Sequence, residues 1–315
     1  MKVLIVGFGS IGRRHLNNLN KLGFKGELFC FRRKMEQIEG FPHVRILTTP
    51  LQVFDIRPDV MFICNPSHLH AKWINIAADL NCHTFVEKPV VTSISALDSL
   101  RKLRSSFAER VFFVGYMMRY HKGILALKKM LDDKLIGSVY HARVEFGGYL
   151  PSWPYVDYKE SYAARLDMGG GVILTISHEV DLVEYLFGES HELTAIKSRT
   201  KLLDISAEEM AEIIFNYEDK QVSLHLDYLQ KDYRRNIRVL GDEGSLTWDW
   251  NRSTITLKKI GELENEIFQI ADFDVNDLYL DEVADFLDLI EKNRYTHALD
   301  FDFALHNTST LLQTL

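Results

Sequence analysis

In the first third of the chain, apolar side chains fall into short runs separated by stretches of helical period. The runs are Val3 to Val6, Leu28 to Phe31, Val60 to Cys64, Thr84 to Val86 and Val111 to Val114. Between them, Ile11 to Leu22 and Ala71 to Leu80 repeat apolar residues at helical spacing. Strands alternating with helices predict βαβ units and therefore a parallel sheet. After Val111 to Val114 the pattern changes. One helical stretch carries Ile124, Leu127, Met130 and Leu131 on a single face, and longer segments with period-two character follow at Val139 to Phe146, Ala211 to Tyr217, Val222 to Tyr228 and Arg235 to Leu240. Such alternation suits an antiparallel sheet whose two faces differ. Gly241-Asp242-Glu243-Gly244 supplies a turn before Ser245 to Trp248, and Leu280, Val283, Phe286, Leu287 and Ile290 mark a closing helix. We place the domain boundary so that residues 1–118 form one domain and 119–315 a second. A chain of 315 residues exceeds the usual size of a single core.

Composition narrows the function classes. With 37 basic and 44 acidic side chains the net charge is -7, and no basic stripe interrupts the balance, which disfavours nucleic acid and anionic membrane as partners. The first apolar run is cut by Gly7 before it reaches the length of a signal-peptide core, and no later run is long enough to span a bilayer. Cys30, Cys64 and Cys82 are odd in number and lie in or beside apolar segments. They read as reduced thiols of a cytoplasmic protein, with neither a disulfide nor a cysteine-bound metal.

Gly7-Phe8-Gly9-Ser10-Ile11-Gly12 stands directly after an apolar strand and directly before a helix. In that context the glycine spacing has a mechanism. The first glycine makes the tight turn, the second lets backbone approach a pyrophosphate, and the third lets helix pack on strand. The N–H groups at the helix start, around Ser10 and Ile11, then face the phosphates. An NAD-preferring site expects an acidic residue at the end of the second strand, where this chain has Arg32-Arg33-Lys34. Guanidinium groups match a 2′-phosphate, so NADP is expected in preference to NAD. A solvated basic turn is the plainer alternative.

Two further strand ends carry candidate chemistry: Asn65-Pro66 after one, and Glu87-Lys88-Pro89 after another. A lysine there can hydrogen-bond a ribose and a reacting hydroxyl. Together, Gly7-x-Gly9-x-x-Gly12-Arg13-x-His15, Pro66-Ser67-His68-Leu69-His70-Ala71, Glu87-Lys88-Pro89, Gly169-Gly170 leading to His178, and Val239-Leu240-Gly241-x-x-Gly244 resemble the glucose-fructose oxidoreductase, inositol dehydrogenase and MocA family over nearly the full length. The resemblance implies an α/β fold, with an N-terminal Rossmann doubly wound parallel sheet and a C-terminal α+β domain whose open-faced, mainly antiparallel sheet often mediates oligomerisation. A homo-oligomer, dimer or tetramer, is therefore expected. The resemblance further implies that Arg13, Asn65, Pro66, His70, Glu87, Lys88 and Arg119 join the glycines, Arg32 and Arg33 around the cofactor. Lys88 becomes the catalytic or cofactor-contacting lysine, and His178 the acid/base.

In the second domain, Gly169-Gly170-Gly171 permits close backbone approach before a helix expected over 172–187. Leu174, His178 and Asp181 share one face of it, so that Asp181 either orients the imidazole or forms a surface pair. An imidazole titrates near working pH, as proton transfer requires. The family pattern has an aspartate four residues before the histidine, but this chain has Leu174 there, with Thr175 beside it. Leucine transfers no proton. Upstream, the stretch from Tyr149 to Tyr155 with Trp153, followed by Tyr158, Tyr162, Arg165 and Asp167, offers flat faces and a guanidinium suited to a sugar or sugar nucleotide. We expect Lys88, Trp153, Tyr162, Arg165, Thr175 and His178 around substrate. Packing or subunit contact is the alternative for these aromatics.

The chain is thus expected to be an NAD(P)-dependent dehydrogenase or reductase of a sugar, inositol or nucleotide sugar, in surface-polysaccharide or amino-sugar metabolism. Its rival is a redox-silent dinucleotide-binding sensor or scaffold, which Leu174 keeps in play. A nucleic-acid regulator is disfavoured by the acidic balance.

Overall fold

Each apolar run of the first third becomes one strand of a parallel sheet. The computed structural model describes residues 1–154 and 157–315, which form two compact units: Met1–Met117 with Val275–Leu312, and Met118–Asp274 with Gln313–Leu315. The first unit opens β1 (Lys2–Val6), α1 (Ser10–Lys21), β2 (Glu27–Phe31), β3 (Arg45–Leu47), α2 (Pro50–Ile56), β4 (Val60–Ile63), α3 (His70–Asp79), β5 (His83–Glu87), α4 (Ile94–Arg101) and β6 (Phe112–Gly115). All strand pairs are parallel, in the order β3-β2-β1-β4-β5-β6. Val3, Leu4, Ile5 and Met61 are fully buried, the uniformly apolar composition of strands covered on both faces. Strand order reverses beside β1, so the loops after β1 and β4 diverge at a switch point, where open α/β sheets take ligands.

The second unit contains α5 (Lys122–Asp132), β7 (Val139–Gly147), α6 (Val172–Thr175), α7 (Ser177–Phe187), β8 (Glu192–Ser198), β9 (Met210–Asn216), β10 (Gln221–Asp227), β11 (Arg234–Gly241), β12 (Gly244–Asp249), β13 (Thr254–Lys259) and β14 (Asn265–Gln269). Its eight strands run β14-β13-β12-β11-β7-β10-β9-β8, all antiparallel except the parallel pair β7 and β10. Alternation is clean. Ala142, Val144, Ile213, Leu224 and Val239 are buried on the face that carries α5, α6 and α7, while Arg143, Glu145, Glu212, His225 and Arg238 occupy the other. The helix expected over 172–187 is two helices. Ile176, at φ -102° and ψ 32°, leaves the helical region between α6 and α7.

After β14 the chain returns to the first unit with α8 (Val275–Glu291) and α9 (Phe301–Gln313). The sequence boundary assigned all of 119–315 to one domain, whereas residues 275–312 cluster with the first. The reason is apolar fit. Phe286 of α8 meets Phe62 and Phe85 edge-on at 5.4 and 5.5 Å, Val114 N–H donates to the Leu299 carbonyl, and Tyr116 Oη donates to Asn307 Oδ1 at 2.6 Å. An amphipathic stripe announces a core-facing helix without saying which core it faces. The three cysteines are free and buried. Among the described residues, no helix is long and apolar enough to cross a membrane.

Candidate cofactor and active site

The glycine loop separates into structural and functional members. Gly7 has φ +93°, and a Cβ there would lie 2.8 Å from the Asn65 backbone; a Cβ on Gly12 would lie 2.2 Å from the Gly7 carbonyl oxygen. Both glycines are required by the chain's own packing. Gly9 is different. Its φ of -80° suits any residue, and no described atom stands within 4 Å of a Cβ built on it. Gly9 caps α1 without a side-chain acceptor, and no acidic residue occupies the first turn at Ser10, Ile11 and Gly12. The positive end of the helix therefore faces open space, which fits a phosphate. Beside it, both polar atoms of the Asn65 side chain are buried without a hydrogen-bond partner among the described residues. A buried primary amide in that condition fits a ligand that supplies its partners.

The other expected cofactor residues divide by neighbourhood. Arg13 is exposed and lies 4.9 Å from the Phe8 ring centroid. Arg32 directly follows β2, and its guanidinium lies 3.4 Å from the Glu36 carbonyl oxygen and 3.8 Å from its carboxylate; Arg33 is exposed. Pro66 opens a 3-10 turn, Ser67–Leu69. His70 is buried between two loops, with Nε2 2.8 Å from the Asn65 carbonyl oxygen and Nδ1 3.0 and 3.2 Å from those of Pro89 and Val90. Burial lowers its pKa against the pull of those carbonyls. It ties the loop after β4 to the loop after β5. Glu87 ends β5 and receives His15 Nε2 at 2.7 Å. Lys88 follows, half-buried, with a cis peptide to Pro89.

In the second unit His178 is buried on α7, and Leu174 and Thr175 are buried on α6. Asp181 is held by Arg119, whose Nη2 is 2.7 Å from Oδ1 and whose Nε is 3.0 Å from Oδ2. Burial raises the Asp181 pKa, with Arg119 opposing. Arg119, expected at the cofactor, is therefore committed to a buried carboxylate and also covers the Tyr185 ring at 4.9 Å. A second buried pair, Arg235 Nε to Glu179 Oε1 at 2.6 Å, fastens α7 to β11. Trp153 packs edge-on to Tyr228, whose hydroxyl donates to the Gly171 carbonyl oxygen at 2.9 Å. Tyr162 is half-buried in a 3-10 turn. Arg165 is gripped by Asp167 at 2.8 Å and Glu160 at 3.5 Å. Tyr155 lies outside the described residues.

One residue escaped sequence inspection. Glu282 sits on the buried face of α8, among Leu278, Val283, Phe286 and Leu289, with its carboxyl near His15 and Glu87. Its signal was a charge at i+4 from Leu278 and i-4 from Phe286, inside an apolar stripe.

Residues 1–116 match the model of the oxidoreductase family with an NAD-binding Rossmann fold, and residues 124–247 match that of the GFO/IDH/MocA C-terminal domain. The chain is 24% identical over 268 residues to the uncharacterized oxidoreductase YrbE of Bacillus subtilis, covering 79% of this chain and 74% of that one. It is 23% identical over 199 residues to a myo-inositol 2-dehydrogenase of Thermotoga maritima, covering 61% of this chain and only 56% of that protein's length. A levoglucosan dehydrogenase in complex with NADH and levoglucosan has the same fold, with a TM-score of 0.84 at 15% identity over 100% of this chain and 96% of the other.

Proposed function

The chain belongs to the GFO/IDH/MocA oxidoreductase family, and from that premise we propose that it interconverts a hydroxyl and a carbonyl on a sugar, inositol or nucleotide sugar, with NADP preferred over NAD. The observation that carries this is the open space over Gly9 at the start of α1, beside the buried Asn65 amide, which has no partner among the described residues. When bound, the nicotinamide cofactor accepts or supplies the hydride. The chain's own residues bind and move protons. The α1 N-terminus would take the pyrophosphate, Asn65 would pair with the cofactor, and Arg32 and Arg33 would meet a 2′-phosphate. We assign Lys88 and His178 to proton transfer at the substrate hydroxyl. Leu174 is buried and carries no proton, so that duty rests on His178 without the family's aspartate. Trp153 and Tyr162 would supply packing faces and Thr175 a hydroxyl. Arg165 is a weaker anion site because Asp167 and Glu160 already neutralise it. A role in surface-polysaccharide or amino-sugar metabolism, and a cytoplasmic homodimer or homotetramer using the open face of the second sheet, belong to the same proposal.

Leu174 favours one other reading, a redox-silent dinucleotide-binding protein. The two separate by experiment. NADP reduction assayed with sugars, inositols and nucleotide sugars should appear in the parent, and Lys88→Ala and His178→Ala should each lower kcat far more than cofactor affinity. Their combined loss should be less than the product of the single losses, because residues acting in one step are not additive. Tight NADP binding without hydride transfer on any substrate class would decide for the redox-silent protein.

A further inference from the structure

The buried face of α8 carries a carboxyl in a place that ordinarily takes an apolar side chain. Glu282 is fully buried, and neither carboxyl oxygen has a hydrogen-bond partner among the described residues. One donor atom each from Glu282, Glu87 and His15 lie within 4.8 Å of one another. His15 Nε2 meets Glu87 Oε1 at 2.7 Å, while its Nδ1 is buried without a partner among the described residues. The walls are aromatic: Phe85 and Phe62 pack on the His15 ring at 4.9 and 5.5 Å, and Tyr279 at 6.3 Å. Other polar groups facing the cluster are Arg14 of α1, which lies over the Tyr279 ring, and Cys64 after β4.

A carboxylate buried beside a second carboxyl group is costly to ionise, since it loses its hydration and meets a like charge. Burial, and then Glu87, push the Glu282 carboxyl well above the usual range, with Arg14 opposing. A metal ion is the other way to neutralise the cluster. Two ligands of a tetrahedral zinc stand roughly 3.3 Å apart for metal-ligand bonds of about 2.0 Å. The 2.7 Å between His15 and Glu87 is instead a hydrogen bond.

Glu87 is the last residue of β5, and Lys88 comes next. We propose that Glu282 is a positioning residue for Lys88: buried beside the hydrogen-bonded pair of Glu87 and His15, it completes the cluster that fixes the strand end bearing the lysine. The functional part rests on the assignment of Lys88 to proton transfer; the proton held by Glu282 does not.

The test compares Glu282→Gln with Glu282→Ala in the full chain. Glutamine matches the size and neutrality of a protonated glutamate. Glu282→Gln should keep kcat within about twofold of the parent, while Glu282→Ala should lose roughly tenfold or more in kcat with little change in KM for NADP. Two measurements need no turnover. Isotope-edited infrared spectra of the unliganded protein at neutral pH should contain a protonated carboxyl band that Glu282→Gln removes, and amide hydrogen exchange over 87–90 should accelerate in Glu282→Ala but not in Glu282→Gln. The proposal is overturned if glutamine is as damaging as alanine, if the carboxyl band is missing, or if alanine leaves exchange unchanged. It is equally overturned if the parent takes up stoichiometric cobalt(II) that Glu282→Gln abolishes. A protein with the band and the exchange pattern but no turnover would retain the cluster and lose only the oxidoreductase reading.

Discussion

The Arg119 guanidinium grips both oxygens of the Asp181 carboxylate, at 2.7 Å from Oδ1 and 3.0 Å from Oδ2, with Asp181 fully buried and the Arg119 side chain 13% exposed. Removing one partner strands the other charge. Asp181→Ala should therefore destabilise the protein by about 3–5 kcal/mol in urea unfolding, and Asp181→Asn, which keeps an acceptor, should recover part of that. Equal stability of parent and Asp181→Ala would contradict the ion pair as a structural anchor.

The glycine loop yields opposite outcomes from one added methyl group. In Gly12→Ala the Cβ meets the Gly7 carbonyl oxygen at 2.2 Å, so the helix must shift, at a cost of about 1–3 kcal/mol in a thermal or urea melt. Gly9→Ala meets nothing among the described residues and should leave stability within about 0.5 kcal/mol. Its affinity for a dinucleotide, followed by fluorescence titration, should nevertheless fall sharply. Parental affinity in Gly9→Ala would remove the cradle from the site.

Arg32 and Arg33 make cofactor choice testable separately from catalysis. Charged hydrogen bonds to a phosphate contribute about 1.5–3 kcal/mol, so Arg32→Ala with Arg33→Ala should weaken NADP roughly tenfold to a hundredfold while sparing NAD. If the parent binds both cofactors equally, these arginines are only a solvated turn.

Much of this molecule was legible because its signals are local. The glycine loop, the strand ends after β4 and β5, and the alternating strands of the second sheet all follow from short-range spacing. Even the overlooked α2 carried its marks, since Thr49 and Gln52 form a capping box with Pro50 at the first turn. What stayed hidden depends on partners distant in sequence. Nothing near Asp181 announces Arg119, nothing near Glu282 announces His15, and the break at Ile176 interrupts an apolar pattern that reads as one helix. His70 too has distant partners: both ring nitrogens lie against backbone carbonyls of the protein itself, those of Asn65, Pro89 and Val90.

On the open face of the second sheet, His225 lies between Glu212 at 2.6 Å and Asp227 at 3.0 Å. The hydrogen bond to Asp227 does most to raise its pKa above the ordinary 6.5; burial opposes, and Glu212 assists. A raised imidazole stabilises the fold fully below its unfolded value, and that contribution disappears as pH rises through the folded value. Melting temperature should therefore decline with pH above about 6.5 more steeply in the parent than in His225→Gln. Parallel curves would show that the histidine is not charged in the folded protein.

The return of α8 and α9 to the first unit reverses the order in which the molecule can be finished. Its parallel strands are synthesised before α8 and α9, so Phe62, Phe85 and Phe113 wait for Phe286, and Val114 for Leu299, until those helices have been made. A chain cut short before Val275 would leave this aromatic cluster open to water and to other nascent chains, so α8 and α9 act as the seal on strands made well before them.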